Sequence, residues 1–159
     1  MNDAKPRTTS LANRIKLLKE QSPMTVEEYE HMTSVPYTCA IGSLMYAMVC
    51  TRPDITHSVG VVSKYVINLG KEHWEAVKWL LSYLRGTSNT SLCYGNGKVV
   101  MQGFVDADLS GDVYYSKSTS GYIYIIDGVA VSWMFKFQKC VALSSIETEY
   151  VTIVEAGRR

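Results

Sequence analysis

Gly103-Phe-Val-Asp-Ala-Asp108 and Ser144-Ser-Ile-Glu-Thr-Glu-Tyr150 are the two stretches whose reading decides the fold. The first is an apolar run that ends in carboxylates, as a strand delivering acids to its end would. The second opens as a helix. Ser144 with Glu147 three residues on forms a capping box, so the helix is predicted to start near Ser145. Ile146, Tyr150 and Ile153, spaced by four and three, make one apolar stripe. Glu149 lies three after Ile146 and four before Ile153, inside that stripe, whereas Glu147 has the capping duty. A carboxylate on a buried stripe is costly unless paired or bound to a metal. A strand-end Asp106 facing a helix Glu149 is the pattern a divalent-metal nuclease uses. The spacing alone leaves the plainer reading open, because most lone helix carboxylates are solvated.

Working outward, residues 91 onward show a period of two. Ser91–Tyr94 reads as a short strand, Gly95-Asn-Gly97 as a tight turn and Val99–Asp106 as a central strand. Lys117–Gly121 reads as a polar bend and Tyr122–Ile126 as a strand. Asp127-Gly128 is a two-residue hairpin signal. Val129, Val131, Trp133, Phe135 and Phe137 would then share one face of the last strand, with Ala130, Ser132 and Lys136 on the other. A three-stranded meander followed by a helix is α+β.

Upstream the period is helical. Residues 37–50 are apolar nearly all round, which suits a buried helix, with Gly42 and Ser43 allowing close packing and Met45 and Met48 filling core. Thr51-Arg-Pro-Asp54 reads as a second capping box, starting a helix to about Asn68 with Ile55, Val59, Val62 and Val66 inward. A third helix, Lys71–Arg85, turns Trp74, Val77, Leu81 and Leu84 inward, with Gly86 as its stop. Lys71, Lys78 and Arg85 lie about two turns apart on its wet face. They are candidates for a phosphate-facing row, although such rows are more often plain solvated faces. Residues 36–90 thus read as a three-helix bundle. Residues 1–35 form a polar segment, expected to be partly mobile, with a short helix after a Thr25 cap and an end at Pro36.

The 159 residues suffice for one good core or two small ones, and 47% hydrophobic with 19% charged residues is globular composition. A net charge of +1 shows no broad electrostatic footprint for nucleic acid. Cys39, Cys50, Cys93 and Cys140 lack metal or disulfide spacing and are expected to be reduced, core-packing thiols. His31, His57 and His73 have no ligand spacing. The polar start has no secretory h-region, and no run nears the roughly 18 apolar residues of a membrane helix, so the expectation is an intracellular chain, cytoplasmic or nuclear, with no membrane.

A string of motifs runs through the chain: Val35-Pro-Tyr, Gly42-Ser-Leu-Met-Tyr-Ala-Met, Thr51-Arg-Pro-Asp-Ile, His73-Trp-Glu-Ala-Val-Lys-Trp, Tyr83-Leu-Arg-Gly-Thr, Asp106-Ala-Asp, Lys117-Ser-Thr-Ser-Gly-Tyr, Val131-Ser-Trp and Val141-Ala-Leu-Ser-Ser-Ile-Glu-Thr-Glu-Tyr. In this order they resemble the Pol polyprotein of copia-class retrotransposons over essentially the whole chain. The resemblance implies that residues 1–90 are the end of a reverse transcriptase, with 36–90 thumb- or connection-like. It implies that 91–159 open a truncated ribonuclease H-like domain. That domain cuts the RNA of RNA–DNA hybrids with four carboxylates and two Mg²⁺ ions. The first two carboxylates fall on Asp106 and Glu149, and Asp108 matches a secondary position.

The family's third and fourth carboxylates and the polymerase aspartates have no counterpart here, so the resemblance implies an inactive fragment of a larger Pol polyprotein. Leu109, Ser116, the Met134–Phe137 segment and Thr148 also depart from the family pattern. A shortened sheet would expose an edge capable of self-association. Effector-like proteins of some plant pathogens resemble the same segment, which raises the alternative of a non-catalytic binding or interaction protein.

Overall fold

The computed structural model describes residues 7–11, 17, 21–23, 25–95, 99–109 and 117–158. The chain divides into two compact units, Met1–Thr90 and Ser91–Arg159.

The first unit is helical. α1 (Val26–Thr33) begins at Thr25, whose hydroxyl accepts from the Glu28 amide while Glu28 reaches back to the Thr25 N–H. α2 spans Tyr37–Cys50 and α3 Thr56–Ser63, entered through a 3-10 turn at Pro53–Ile55; α4 spans Lys71–Gly86. Tyr37, Ile41 and Leu44 of α2 meet Ile55, Val59 and Val62 and then Ala76, Val77 and Leu80 of α4 in one buried cluster. α2, α3 and α4 are thus three helices packed on one another, as the helical period of this stretch predicts.

Several local expectations change. α3 stops at Ser63, so Val66 is exposed. α2 buries only one stripe: Met45, Tyr46 and Val49 are exposed, and a Cβ on Gly42 would meet nothing. Two partners cover one side of α2, and an all-apolar sequence does not create a third. On α4 the buried line is His73, Ala76, Val77 and Leu80, with Trp74, Leu81 and Leu84 packed at its margin. Gly86 ends the helix from inside and Thr87 caps it.

His73 accepts from the Gly70 amide and stacks on Tyr65, which makes it a structural core histidine. The described part of the N-terminal segment is tied to the helices. Trp79 Nε1 donates to the Thr9 carbonyl, Ser58 bonds Ser10, and Tyr65 donates to the Leu17 carbonyl. α1 ends at Thr33, short of the Pro36 expected to stop it; most of the Leu11–Leu18 stretch lies outside the described residues, as does most of Gly95-Asn-Gly97.

The second unit is a three-stranded antiparallel sheet, ordered β1 (Met101–Asp108), β2 (Thr119–Ile126), β3 (Val129–Phe137), with α5 (Ser145–Ala156) packed on β1 and β2. The α+β class is as expected. β1 is nonetheless an edge strand and largely exposed, not the central one. Residues 91–94 form no strand, though Tyr94 donates to the Ala130 carbonyl. The supposed polar bend is partly strand: Ser118, Thr119 and Ser120 are buried and β2 begins at Thr119.

Asp127 and Gly128 both have positive φ, 56° and 76°, and make the tight turn their sequence announces. Gly103 sits beside the Tyr124 ring, where a Cβ would come within 2.9 Å of Tyr124 Cε1. β3 contains a bulge. Tyr124 pairs with Ser132 and Ile125 with Ala130, so Val131 is the extra residue. The bulge breaks the expected alternation: Ala130, Trp133, Phe135 and Phe137 share one face, while Val129, Ser132, Met134 and Lys136 share the other. All four cysteines are free and exposed, so they do not pack the core.

Candidate functional site

α5 is the element that positions the candidate carboxylates. Ser144 caps it by accepting from the Glu147 amide, and Glu147 accepts from the Leu143 N–H, one residue beyond the expected box. The buried line of α5 is Thr148, Thr152 and Ala156, spaced by four. The expected stripe is outside: Ile146, Tyr150 and Ile153 are 78, 67 and 55% exposed. Small residues let α5 lie close to the sheet, and their hydroxyls complete a buried polar cluster. Gln138 Nε2 donates to Ser120 Oγ (3.0 Å), the Thr148 carbonyl (2.9 Å) and Thr152 Oγ1 (3.2 Å), and Ser120 and Thr152 hydroxyls are 2.7 Å apart. No periodicity in the sequence marks Gln138 as the lock between helix and sheet.

Strand alternation then locates Asp106. Met101, Gly103, Val105 and Ala107 share the face of Ser120, beneath α5, because Ala107 pairs with Ser120. Gln102, Phe104, Asp106 and Asp108 project from the other face. Asp106 is opposite Gly121 and exposed. Glu149 follows buried Thr148 and is exposed on the flank of α5 that turns toward β1. The opposite flank carries Glu155, which pairs with Lys136 of β3. Asp106 and Glu149 thus share the β1 side of the unit but leave it from different faces. Neither makes a hydrogen bond or ion pair among the described residues.

Carboxylate oxygens are the right donors for Mg²⁺. They fit in kind but fall short in number: no group of three or more His, Cys, Asp or Glu side chains comes together among the described residues. No hydrolytic step can be built on this pair alone.

Lys71, Lys78 and Arg85 do line the outer side of α4, where Lys71 and Arg85 are exposed. Lys78 is engaged in an ion pair with Glu75.

The most developed polar cluster was read from sequence only as a cap. Arg52 forks onto Asp54 (Nε–Oδ1 2.9 Å, Nη2–Oδ2 2.6 Å) and donates to Thr87 Oγ1 at 2.6 Å, while Tyr83 donates to Asp54 Oδ2 at 2.7 Å. Burial pushes the Asp54 carboxyl up, but the hydrogen bonds from Arg52 and Tyr83 and the charge of Arg52 outweigh it and hold the group below its ordinary range. Burial and the bond to Asp54 raise Tyr83. These contacts tie the end of α4 to the entry of α3. The capping box expected from Thr51 does not form, because Arg52 takes the Asp54 carboxylate. Arg52, Asp54 and Tyr83 are 31 residues apart at most, and no local pattern links them.

No helix among the described residues is long and apolar enough to cross a membrane. No family model matches the chain, and no solved structure matches it. It is 55% identical over 158 residues to the retrovirus-related Pol polyprotein from transposon TNT 1-94 of Nicotiana tabacum, covering 99% of this chain and 12% of that protein. It is 34% identical over 158 residues to the Pol polyprotein from transposon RE2 of Arabidopsis thaliana, covering 99% of this chain and 10% of that protein. It is also 45% identical over 128 residues to secreted RxLR effector protein 161 of Plasmopara viticola, covering 79% of this chain and 89% of that protein. The chain spans about an eighth or less of the polyproteins that it matches from end to end. Along its whole length, the chain is thus similar to one segment of the retrovirus-related Pol polyproteins of plant transposons.

Proposed function

We propose that the chain joins the end of a reverse transcriptase to the opening of a ribonuclease H-type nuclease, and that it is inactive by itself. Residues 36–90 are the thumb- or connection-like part. Residues 91–159 carry the first two metal-holding carboxylates, Asp106 and Glu149, of a site whose substrate is the RNA strand of an RNA–DNA hybrid. Mg²⁺ bound there would polarise the scissile phosphate and activate water. The observation that carries this reading is the pair itself. Two exposed carboxylates, neither with a hydrogen-bond or ion-pair partner among the described residues, stand on the β1 side of the sheet unit, though they leave it from different faces. Inactivity follows from the donor count, since two carboxylates do not hold two hard cations.

The test is an Mg²⁺ titration of the chain followed by amide NMR. Saturable shifts confined to the surroundings of Asp106 and Glu149, lost in Asp106→Asn, support the half-site. Flat spectra through millimolar metal reject it. Hybrid-specific, Mg²⁺-dependent cleavage by this chain would overturn the proposed inactivity.

A second reading rests on the Plasmopara viticola protein, nearly all of which corresponds to this segment. Under it the chain is a non-catalytic interaction protein working through its helices. A nucleic-acid complex whose salt dependence drops on replacing Lys71 and Arg85 would favour the nucleic-acid role over a protein partner.

A further inference from the structure

Inside the helical unit, one buried imidazole stands where the N-terminal segment crosses the helices. His73, at the third position of α4, is fully buried and accepts the Gly70 amide proton on Nδ1 at 2.8 Å. Its ring lies 4.1 Å from the Tyr65 ring and nearly parallel to it. Tyr65 donates its hydroxyl proton to the Leu17 carbonyl at 2.8 Å, and Leu17 packs against the helical core. Gly70 meets the segment at Gln21, where a Cβ would come within 1.8 Å of the Gln21 carbonyl oxygen. Ser22 reaches the Asn68 carbonyl alongside. The two groups that touch His73, the Tyr65 ring and the Gly70 amide, are therefore the two that meet Leu17 and Gln21.

We propose that His73 is a pH-sensitive fastening for this segment, closed while the imidazole is neutral and loosened when it is protonated. The Gly70 contact sets the sign. An N–H that donates to Nδ1 makes that nitrogen the acceptor, so the ring's own proton is on Nε2. Protonation puts a second proton on Nδ1, where it points at another donor. It also leaves a charge at a site closed to water. Both costs are relieved when the segment lifts and the ring is hydrated, so acid favours the open form.

The described neighbours stay in one charge state over the histidine range. From the segment after α3, His73 faces the Tyr65 phenol, with Lys64 next to it in sequence. α2 carries no acid, base or histidine, and its Tyr37, packed on neighbouring Trp74, is pushed up by burial. Leu17 and Gln21 present uncharged carbonyls. On α4, Glu72 beside His73 is exposed, and so are the two other histidines, His31 and His57. The range is also separate from that of Asp54, whose carboxyl is held below ordinary carboxylate values. Nothing in this fastening depends on Asp106 or Glu149.

The test is amide exchange of the 159-residue chain at about pH 7.5 and about pH 5.5, each rate divided by that of an unstructured peptide at the same pH. A hydrated imidazole, with its ordinary value of about 6.5, favours the open form about tenfold more at the lower pH. Protection at Gly70, Leu17, Gln21 and Ser22 should fall by that factor, and at both pH values it should be weaker than at Val59 and Val77 in the helical core. His73→Gln keeps an acceptor for the Gly70 amide, as glutamine does at this helix position, but does not titrate. Its protection should be the same at both pH values. In the unaltered chain, ring-nitrogen NMR at the higher pH should find the His73 proton on Nε2. Protection that survives acidification, or that falls equally in His73→Gln, overturns the proposal. So does a proton on Nδ1 at the higher pH. A segment as well protected as Val59 and Val77 would open only with the whole unit, and overturns it too.

Discussion

The helical unit and the sheet unit bury opposite kinds of residue. In the first, Leu44, Ile55, Val59, Val62, Val77 and Leu80 are sealed on all sides by three helices. In the second, the most deeply buried side chains include Ser120, Gln138, Thr148 and Thr152, while Phe104, Ile146, Tyr150 and Ile153 face solvent. The first is held by apolar packing, roughly in proportion to the apolar area buried. The second is held by a few directed hydrogen bonds, which hold α5 firmly in place but fail sharply when one partner is lost.

That contrast can be broken by substitution. Leu80→Ala should have the largest effect, destabilising the helical unit by about 3 kcal/mol through lost burial and a cavity. Residue-resolved amide exchange should place the loss within the helices; an equal loss in β2 and β3 would mean that the two units unfold together. Gln138→Met should cost the sheet unit about 2 kcal/mol, because Ser120, Thr152 and the Thr148 carbonyl lose a shared donor. Denaturant unfolding followed at Trp133 checks it. A neutral outcome would show that packing, not the hydrogen bonds, holds α5.

Acid should separate the units further. Asp54 has a depressed pKa in the folded chain, so its contribution is present above the unfolded value and is lost as pH falls through the folded one. The helical unit should therefore lose stability below the ordinary carboxylate range, and Asp54→Asn should flatten that loss. An unchanged acid limb in the variant would assign the loss to other groups. The smallest effect is expected at Ile153→Ser, within about 0.5 kcal/mol, since the side chain is already exposed. A large loss there would mean that Ile153 is packed in solution.

The sequence is informative where local chemistry and burial coincide. The spacing of Ile55, Val59 and Val62, the Thr25 cap and the Asp127-Gly128 turn each state their structure directly. It misleads where burial depends on what stands opposite. Ile146, Tyr150 and Ile153 have the period of a buried stripe, but periodicity shows only which residues share a face, not whether another element covers it. The residues that α5 does bury are threonines, whose fit depends on Gln138 from a distant strand end. The candidate site is legible in the sequence only as residue types: the carboxylates of Asp106 and Glu149 are visible there, but neither their opposite faces nor the Arg52–Asp54–Tyr83 cluster can be read, because register and long-range pairing set both. The β3 bulge was invisible for a related reason. Val131 continues the apolar alternation of Val129 and Trp133, and no glycine marks it.

That bulge also bears on how the gene can change. Val131 is the one residue of β3 left over when the others are paired with β2. Loss of its codon would simply iron the strand flat, with Val129 and Ser132 each keeping their partners and faces. Loss of Ala130 or Ser132 would let Val131 fill the vacated place, whereas loss of a codon from Trp133 to Phe137 would turn the residues between the bulge and the gap to the other face. In-frame deletions along β3 should therefore be tolerated best at Ala130–Ser132.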